Sequence, residues 1–110
     1  MIRVLILIFI IMLGNLFAID NSDKKVDCII LKDENSIICK YIHKRVNKIT
    51  KVKFQWIEPD GKISRKRDMQ IPAGHGSIYD YRYIKGRTKG QWTFKVIDNN
   101  QELTTNFTIE

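Results

Sequence analysis

Hydrophobic and polar positions follow two different rules along this chain. Residues 4–13 form an unbroken apolar run, whereas from Val26 onward apolar and polar residues alternate in short stretches. Period-two alternation predicts strands with one buried face, because successive side chains leave a pleated strand on opposite sides. Lys51–Ile57 is the cleanest case, with Val52, Phe54 and Trp56 on one face and Lys51, Lys53 and Gln55 on the other. Gln91–Ile97 places Trp92, Phe94 and Val96 together, and Glu102–Ile109 does the same with Leu103, Thr105, Phe107 and Ile109. Val26–Lys32 and Ser36–Ile42 read as two arms of a hairpin, held by packing of Ile29, Ile30, Ile37 and Ile38. Lys62–Gln70 reads as a polar edge strand, its row of positive charges guarding against unwanted pairing. Ser77–Ile84 completes the set.

Turn chemistry separates these runs. Glu58-Pro59-Asp60-Gly61 combines a proline that presets one dihedral with a glycine that accepts positive φ. Pro72-Ala73-Gly74-His75-Gly76, the Lys85–Gly90 loop and Asp98-Asn99-Asn100-Gln101 mark further breaks. Seven short strands at near-regular spacing predict an all-β sandwich of about seven antiparallel strands over residues 26–110, or six if Lys62–Gln70 pairs weakly. Trp56, Trp92, Phe54, Phe94 and Phe107 are its expected core. The polar stretch His43–Thr50 has room for one helical turn; elsewhere β-branched and aromatic residues disfavour helix.

The apolar run near the start changes the picture of where the chain works. Arg3 precedes it, and Gly14, Asn15 and Ala18 follow, the layout of a signal peptide over residues 1–18. A retained anchor is the competing reading, but about 20 apolar residues are needed to cross a bilayer and Gly14–Asn15 interrupts this run early. The expectation is therefore a polar segment at 19–25, then one small domain in the periplasm or secreted, with no membrane insertion once the leader is removed. A domain of this size has a thin core and gains from extra fastening. Cys28 and Cys39, eleven residues apart around the polar Asp33-Glu34-Asn35-Ser36, supply a candidate disulfide. Strands paired about Asp33–Glu34 set the cysteines directly opposite; paired about Glu34–Asn35 they are diagonal on the same face. Two reduced, buried cysteines are the alternative. No Cys-x-x-Cys spacing or further ligand points to redox catalysis or structural zinc, and no cofactor or metal is expected.

From Phe54 to Phe107, Phe54-x-Trp56-x-x-Pro59-Asp60-Gly61, Gly90-x-Trp92-x-Phe94-x-Val96 and Phe107-x-Ile109 resemble the small immunoglobulin-like domains of bacterial secreted and periplasmic proteins. In outline the chain is also similar to small immunoglobulin-fold envelope lipoproteins of Campylobacter-like bacteria, although it lacks a lipid-bearing cysteine after the leader. The resemblance implies an immunoglobulin-like sandwich that acts through protein contacts; fold alone fixes no activity. The usual disulfide of that fold bridges its two sheets, whereas Cys28–Cys39 would close a single hairpin.

Charge and aromatics supply the candidate binding residues. The chain carries 19 Lys+Arg against 12 Asp+Glu, a net +7, of which the leader holds one positive charge. Lys62, Arg65, Lys66 and Arg67, then Arg82, Lys85, Arg87 and Lys89, are possible anion-binding groups, with a further basic cluster over residues 40–53. A solvated exterior is the plainer account of all of them. Tyr79, Tyr81 and Tyr83 share one face of a strand, with Ile78, Asp80, Arg82 and Ile84 on the other. They suit a protein-binding surface, because tyrosines give broad contact at low entropic cost, and they suit the core equally. The expected compromise is one ring in the core and Tyr81 at a dimer or partner surface. Lys85-Gly86-Arg87-Thr88-Lys89-Gly90 lacks the spacing of a phosphate loop. His75 sits in a glycine-rich break, Ser77 and Asp80 fall on opposite strand faces, and His43 neighbours two positive charges, so no catalytic set emerges. The function expected is a non-enzymatic interaction module contacting an envelope protein or itself; the alternative is binding of an acidic polysaccharide or other polyanion. Sequence-specific nucleic-acid binding is not expected.

Overall fold

The computed structural model describes residues 24–110. The expected signal peptide (1–18) lies outside the described residues, as does most of the polar segment 19–25. Lys24 and Lys25 correct that segment's boundary: Lys25 opens the first strand, and the Lys24 ammonium reaches Gln101 Oε1 at 2.7 Å.

The alternating runs form seven strands: β1 (Lys25–Leu31), β2 (Ser36–Ile42), β3 (Thr50–Ile57), β4 (Ile63–Ile71), β5 (Ser77–Tyr83), β6 (Gly90–Asp98) and β7 (Gln101–Ile109). They make a three-stranded sheet ordered β1-β2-β5 and a four-stranded sheet ordered β4-β3-β6-β7. All pairings are antiparallel. The chain is an all-β, immunoglobulin-like sandwich of seven strands. The polar run at 63–71 pairs along the full length of β3, so the count is seven and not six. Lys62 falls in the turn before it, where its amide donates to Asp60 Oδ1. The segment after β2 forms no helical turn. Its backbone is held instead by the 72–76 break: His43 N donates to Gly76 O, Val46 N to His75 O, and Gly74 N to Val46 O.

Hairpin β1–β2 adopts the register that sets Cys28 opposite Cys39, and the two are joined in a disulfide. Lys32–Glu34 form a single 3-10 turn, and Asn35 closes it at φ 53°, a left-handed conformation that asparagine tolerates better than most residues. Asn35 also anchors the far strand, its carbonyl accepting from Ile84 N and its Oδ1 from Lys85 N. The even positions of β1 and odd positions of β2 face inward, which buries Ile37, Cys39 and Tyr41. Ile29 therefore points out, 55% exposed, directly opposite Ile38 on the outer face, so of the four isoleucines only Ile30 and Ile37 face the core.

Between the sheets lie Trp56, Trp92, Tyr41, Phe54 and Phe94, all fully buried. Trp56 meets Phe94 edge-on at 5.2 Å, and Trp92 stacks on Phe107 at 6.0 Å. The sheets are joined most closely where β1 lies against β7. Tyr41 of β2 reaches Asp98 at the end of β6, and Asp80 of β5 accepts from the Trp56 indole of β3. Counting across from β1 and β7, then, β2 stands over β6 and β5 over β3. Arg65 and Arg67 of β4 also reach Asp80, so β5 faces both β3 and β4.

Candidate functional site at the open β4–β5 edge

Inward positions of β5 read Ile78-Asp80-Arg82, flanked beyond the strand by Ile84. Period two sends Asp80 toward the core, where it is 3% exposed. A buried carboxylate is costly unless its oxygens are filled. Here Trp56 Nε1 donates to Oδ2 at 2.9 Å, Arg67 Nη1 to Oδ1 at 2.8 Å, and Arg65 Nε stands 3.8 Å from Oδ2. Arg65 and Arg67 come from the inner face of β4, opposite Trp56 and Phe54 in the β3 register. Arg82 lies over the Trp56 ring at 5.5 Å and donates to Ser64 Oγ at 3.0 Å.

Arg65, Arg67, Asp80 and Arg82 line a cleft of about 540 Å³ between β4 and β5, together with Arg87 from the loop after β5. Four guanidiniums thus face one carboxylate. Their mutual field is felt at Arg82, whose pKa is lowered by burial first and then by repulsion from Arg87 and Arg65, against the pull of Asp80 and Glu58. Arginine's ordinary value is high enough that Arg82 stays charged. Arg87 Nε is buried without a hydrogen-bond partner among the described residues.

The outer face of β5 carries the tyrosines. Tyr79, Tyr81 and Tyr83 are 59%, 51% and 58% exposed, so the expectation that one of the three rings belongs to the core is overturned. The cause is parity: Asp80 and Arg82 take the inward positions because Trp56 and the β4 arginines offer them partners there. Tyr81 and Tyr83 touch edge to face at 6.2 Å, and both residues border the cleft.

Of the eight basic residues singled out in the sequence, the fold gathers Arg65, Arg67, Arg82 and Arg87 and leaves the other four apart. Lys66 projects from the opposite face of β4, level with Gln55, while Lys62, Lys85 and Lys89 are exposed in turns. The loop after β5 is a structural link, with Arg87 N bonded to Ile84 O and Trp92 Nε1 to Thr88 O. Sequence reasoning missed Asp80 as the anchor of the cleft; an Asp80–Arg82 pair bracketed by Ile78 and Ile84 on one strand face was the available signal. It also missed Asp98, buried beside the Tyr41 hydroxyl at 2.7 Å with the Lys24 ammonium 3.5 Å away.

His43 is buried, with Nδ1 2.6 Å from Lys44 O and Nε2 without a hydrogen-bond partner among the described residues. Its ring neighbour is Tyr41, at 5.1 Å. Among the described residues no group of three His, Cys, Asp or Glu side chains is placed to hold a metal. Comparison with known proteins yields no matching family model and no similar curated protein.

Proposed function

We propose that this chain is a non-enzymatic recognition module that acts outside the cytoplasm and binds a protein partner through β5. The observation that carries this reading is the row of three half-exposed tyrosines on a strand at the edge of its sheet. A folded domain of this size gains stability by burying aromatic rings, so three left in solvent side by side suit a contact surface. The disulfide agrees with an oxidising compartment, where such bonds persist. Among the described residues no helix is long and apolar enough to cross a membrane.

The test pairs binding with folding. Residues 19–110 are immobilised, envelope proteins are captured at physiological salt, and the captured partner is then titrated against wild type and Tyr81→Ala. A surface tyrosine of this kind should contribute about 1–3 kcal/mol to binding, with the melting temperature unchanged. Equal affinity of the two forms for the same partner would remove β5 as the contact. Ultracentrifugation over a concentration series separates a partner from a second copy: self-association that Tyr81→Ala abolishes would make the contact homomeric.

Polyanion binding is a second reading, favoured by the four gathered arginines. A long acidic polymer binds best along a continuous basic track with stacking rings, and its affinity falls steeply with salt. The dispersal of Lys62, Lys66, Lys85 and Lys89 speaks against such a track.

A further inference from the structure

The two sheets are unequal, and the inequality has a definite location. The smaller sheet ends at β5, and no described strand pairs with its outer edge, beside which the β4 arginines line an open cleft. The backbone on that side is open. Ile84 N bonds to Asn35 O on the β2 side. Backbone groups alternate direction along a strand, so the even-numbered groups of β5 address β2 and those of Tyr79, Tyr81 and Tyr83 address the free edge. Tyr81 O is met there by a side chain, Arg65 Nη1 at 3.5 Å.

The floor of this position is unusual for a sandwich. Inner faces are ordinarily apolar, yet β4 presents Arg65 and Arg67 inward beside the apolar Met69 and Ile71. Asp80 engages Arg67 most closely and Arg65 at 3.8 Å, and Glu58 acts on Arg82, so the four arginines outnumber the two carboxylates that act on them. Among the described residues, Arg87 Nε is buried without a hydrogen-bond partner, the condition under which an added acceptor contributes most.

Resting on the reading of β5 as the contact strand, the geometry points to an extended acidic peptide segment of the partner protein as the occupant. It adds to the β5 edge as a fourth strand and pairs with the main chain of Tyr79, Tyr81 and Tyr83. Its inward side chains, about 7 Å apart at alternate positions, carry carboxylates to Arg65, Arg82 and Arg87. Its outward side chains lie beside the tyrosine rings. A second copy of this chain fits poorly, because β5 against β5 brings two arginine clusters to neighbouring-strand distance on molecules of net charge +7. A polysaccharide or polyphosphate would satisfy the arginines and leave the edge amides unpaired.

The test uses residues 19–110 with the disulfide intact and four probes: a capped Glu-Val-Glu-Val-Glu-Val-Glu peptide, its counterpart with every Glu replaced by Gln, a heparin oligosaccharide and inorganic polyphosphate. Calorimetric titration to millimolar peptide should give at least about tenfold tighter binding of the Glu peptide than of the Gln peptide, as charge-assisted bonds require. Hydrogen exchange should slow at the amides of Tyr79, Tyr81 and Tyr83 and be unchanged along β1. The double variant Arg65→Gln with Arg87→Gln, checked for an unchanged melting temperature, should lose that tenfold preference. If that variant unfolds, Arg87→Gln alone carries the test, since the Arg87 Nε has no hydrogen-bond partner to strand among the described residues. Equal binding of the two peptides, no binding at millimolar concentration, or protection on β1 would overturn the inference. So would heparin or polyphosphate binding more tightly without protecting the β5 amides, which assigns the cleft to a polyanion. Loss of natural-partner capture in Tyr81→Ala together with an inert Glu peptide leaves β5 as the contact and removes the acidic strand. The opposite pair of results removes the tyrosine face and keeps the strand position.

Discussion

Asp80 decides how the open side of the sandwich is built. It is tied to the Trp56 indole and the Arg67 guanidinium, so removing the carboxylate strands a buried N–H and loosens two arginines. Asp80→Ala should lower stability by about 2–4 kcal/mol in urea unfolding. Arg67→Gln should cost less, because that side chain is 43% exposed and solvent replaces much of what it loses. Tyr41 makes a different prediction. Burial, then the hydrogen bond to Asp98 and that residue's charge, push its hydroxyl well above the ordinary 10.0. The folded state therefore holds this proton to higher pH than the unfolded chain does. The stabilisation is complete below pH 10 and is lost progressively as pH rises above it. Tyr41→Phe should cost about 1–2 kcal/mol at neutral pH and flatten the decline in stability above pH 10, both readable from urea midpoints at a series of pH values.

At the scale of elements, the β1–β2 hairpin is fastened twice, by its ladder and by the Cys28–Cys39 bond. That bond closes a small ring, so reduction should lower stability by about 2–3 kcal/mol without abolishing the fold. Intact-mass analysis before and after reduction, followed by melting of each form, checks both statements; two free thiols in exported material would contradict the first. Strand β6 begins under a separate constraint. Gly90 has φ +127°, and a Cβ there would lie 2.9 Å from Pro59 Cγ in the β3–β4 turn. Gly90→Ala should therefore destabilise by about 1–3 kcal/mol, both from the unfavourable backbone and from the clash, whereas Gly86→Ala meets open space and costs only the former.

For the whole molecule, the buried aromatic core and the exposed tyrosine row sit on different faces of the smaller sheet. Trp56 is fully buried and touches Phe94 and Phe107, so Trp56→Ala should cost about 3–5 kcal/mol or leave no folded protein. Tyr79→Ala and Tyr83→Ala, on exposed rings, should change stability by less than about 1 kcal/mol. Thermal melts of the three variants side by side distinguish core from surface directly.

Strand number, strand bounds to within a residue or two, the inward faces of β3, β6 and β7, and the cysteine pairing were all legible in the sequence. Each depends on local periodicity or on short-range register about one turn, and Val52-Phe54-Trp56 has the same parity however the sheets are arranged. The fate of β5 was not legible. Tyr79-Tyr81-Tyr83 and Ile78-Asp80-Arg82 are both mixed faces, and alternation alone gives no reason to bury either. Only the tertiary structure, by setting β5 over β3 and beside the arginines of β4, supplied partners for a buried aspartate and so turned the tyrosines outward. The gathering of Arg65, Arg67, Arg82 and Arg87 from among eight basic residues was decided the same way. A side chain's face follows from its neighbours along the chain, but which charges meet across a gap depends on how two sheets are offset.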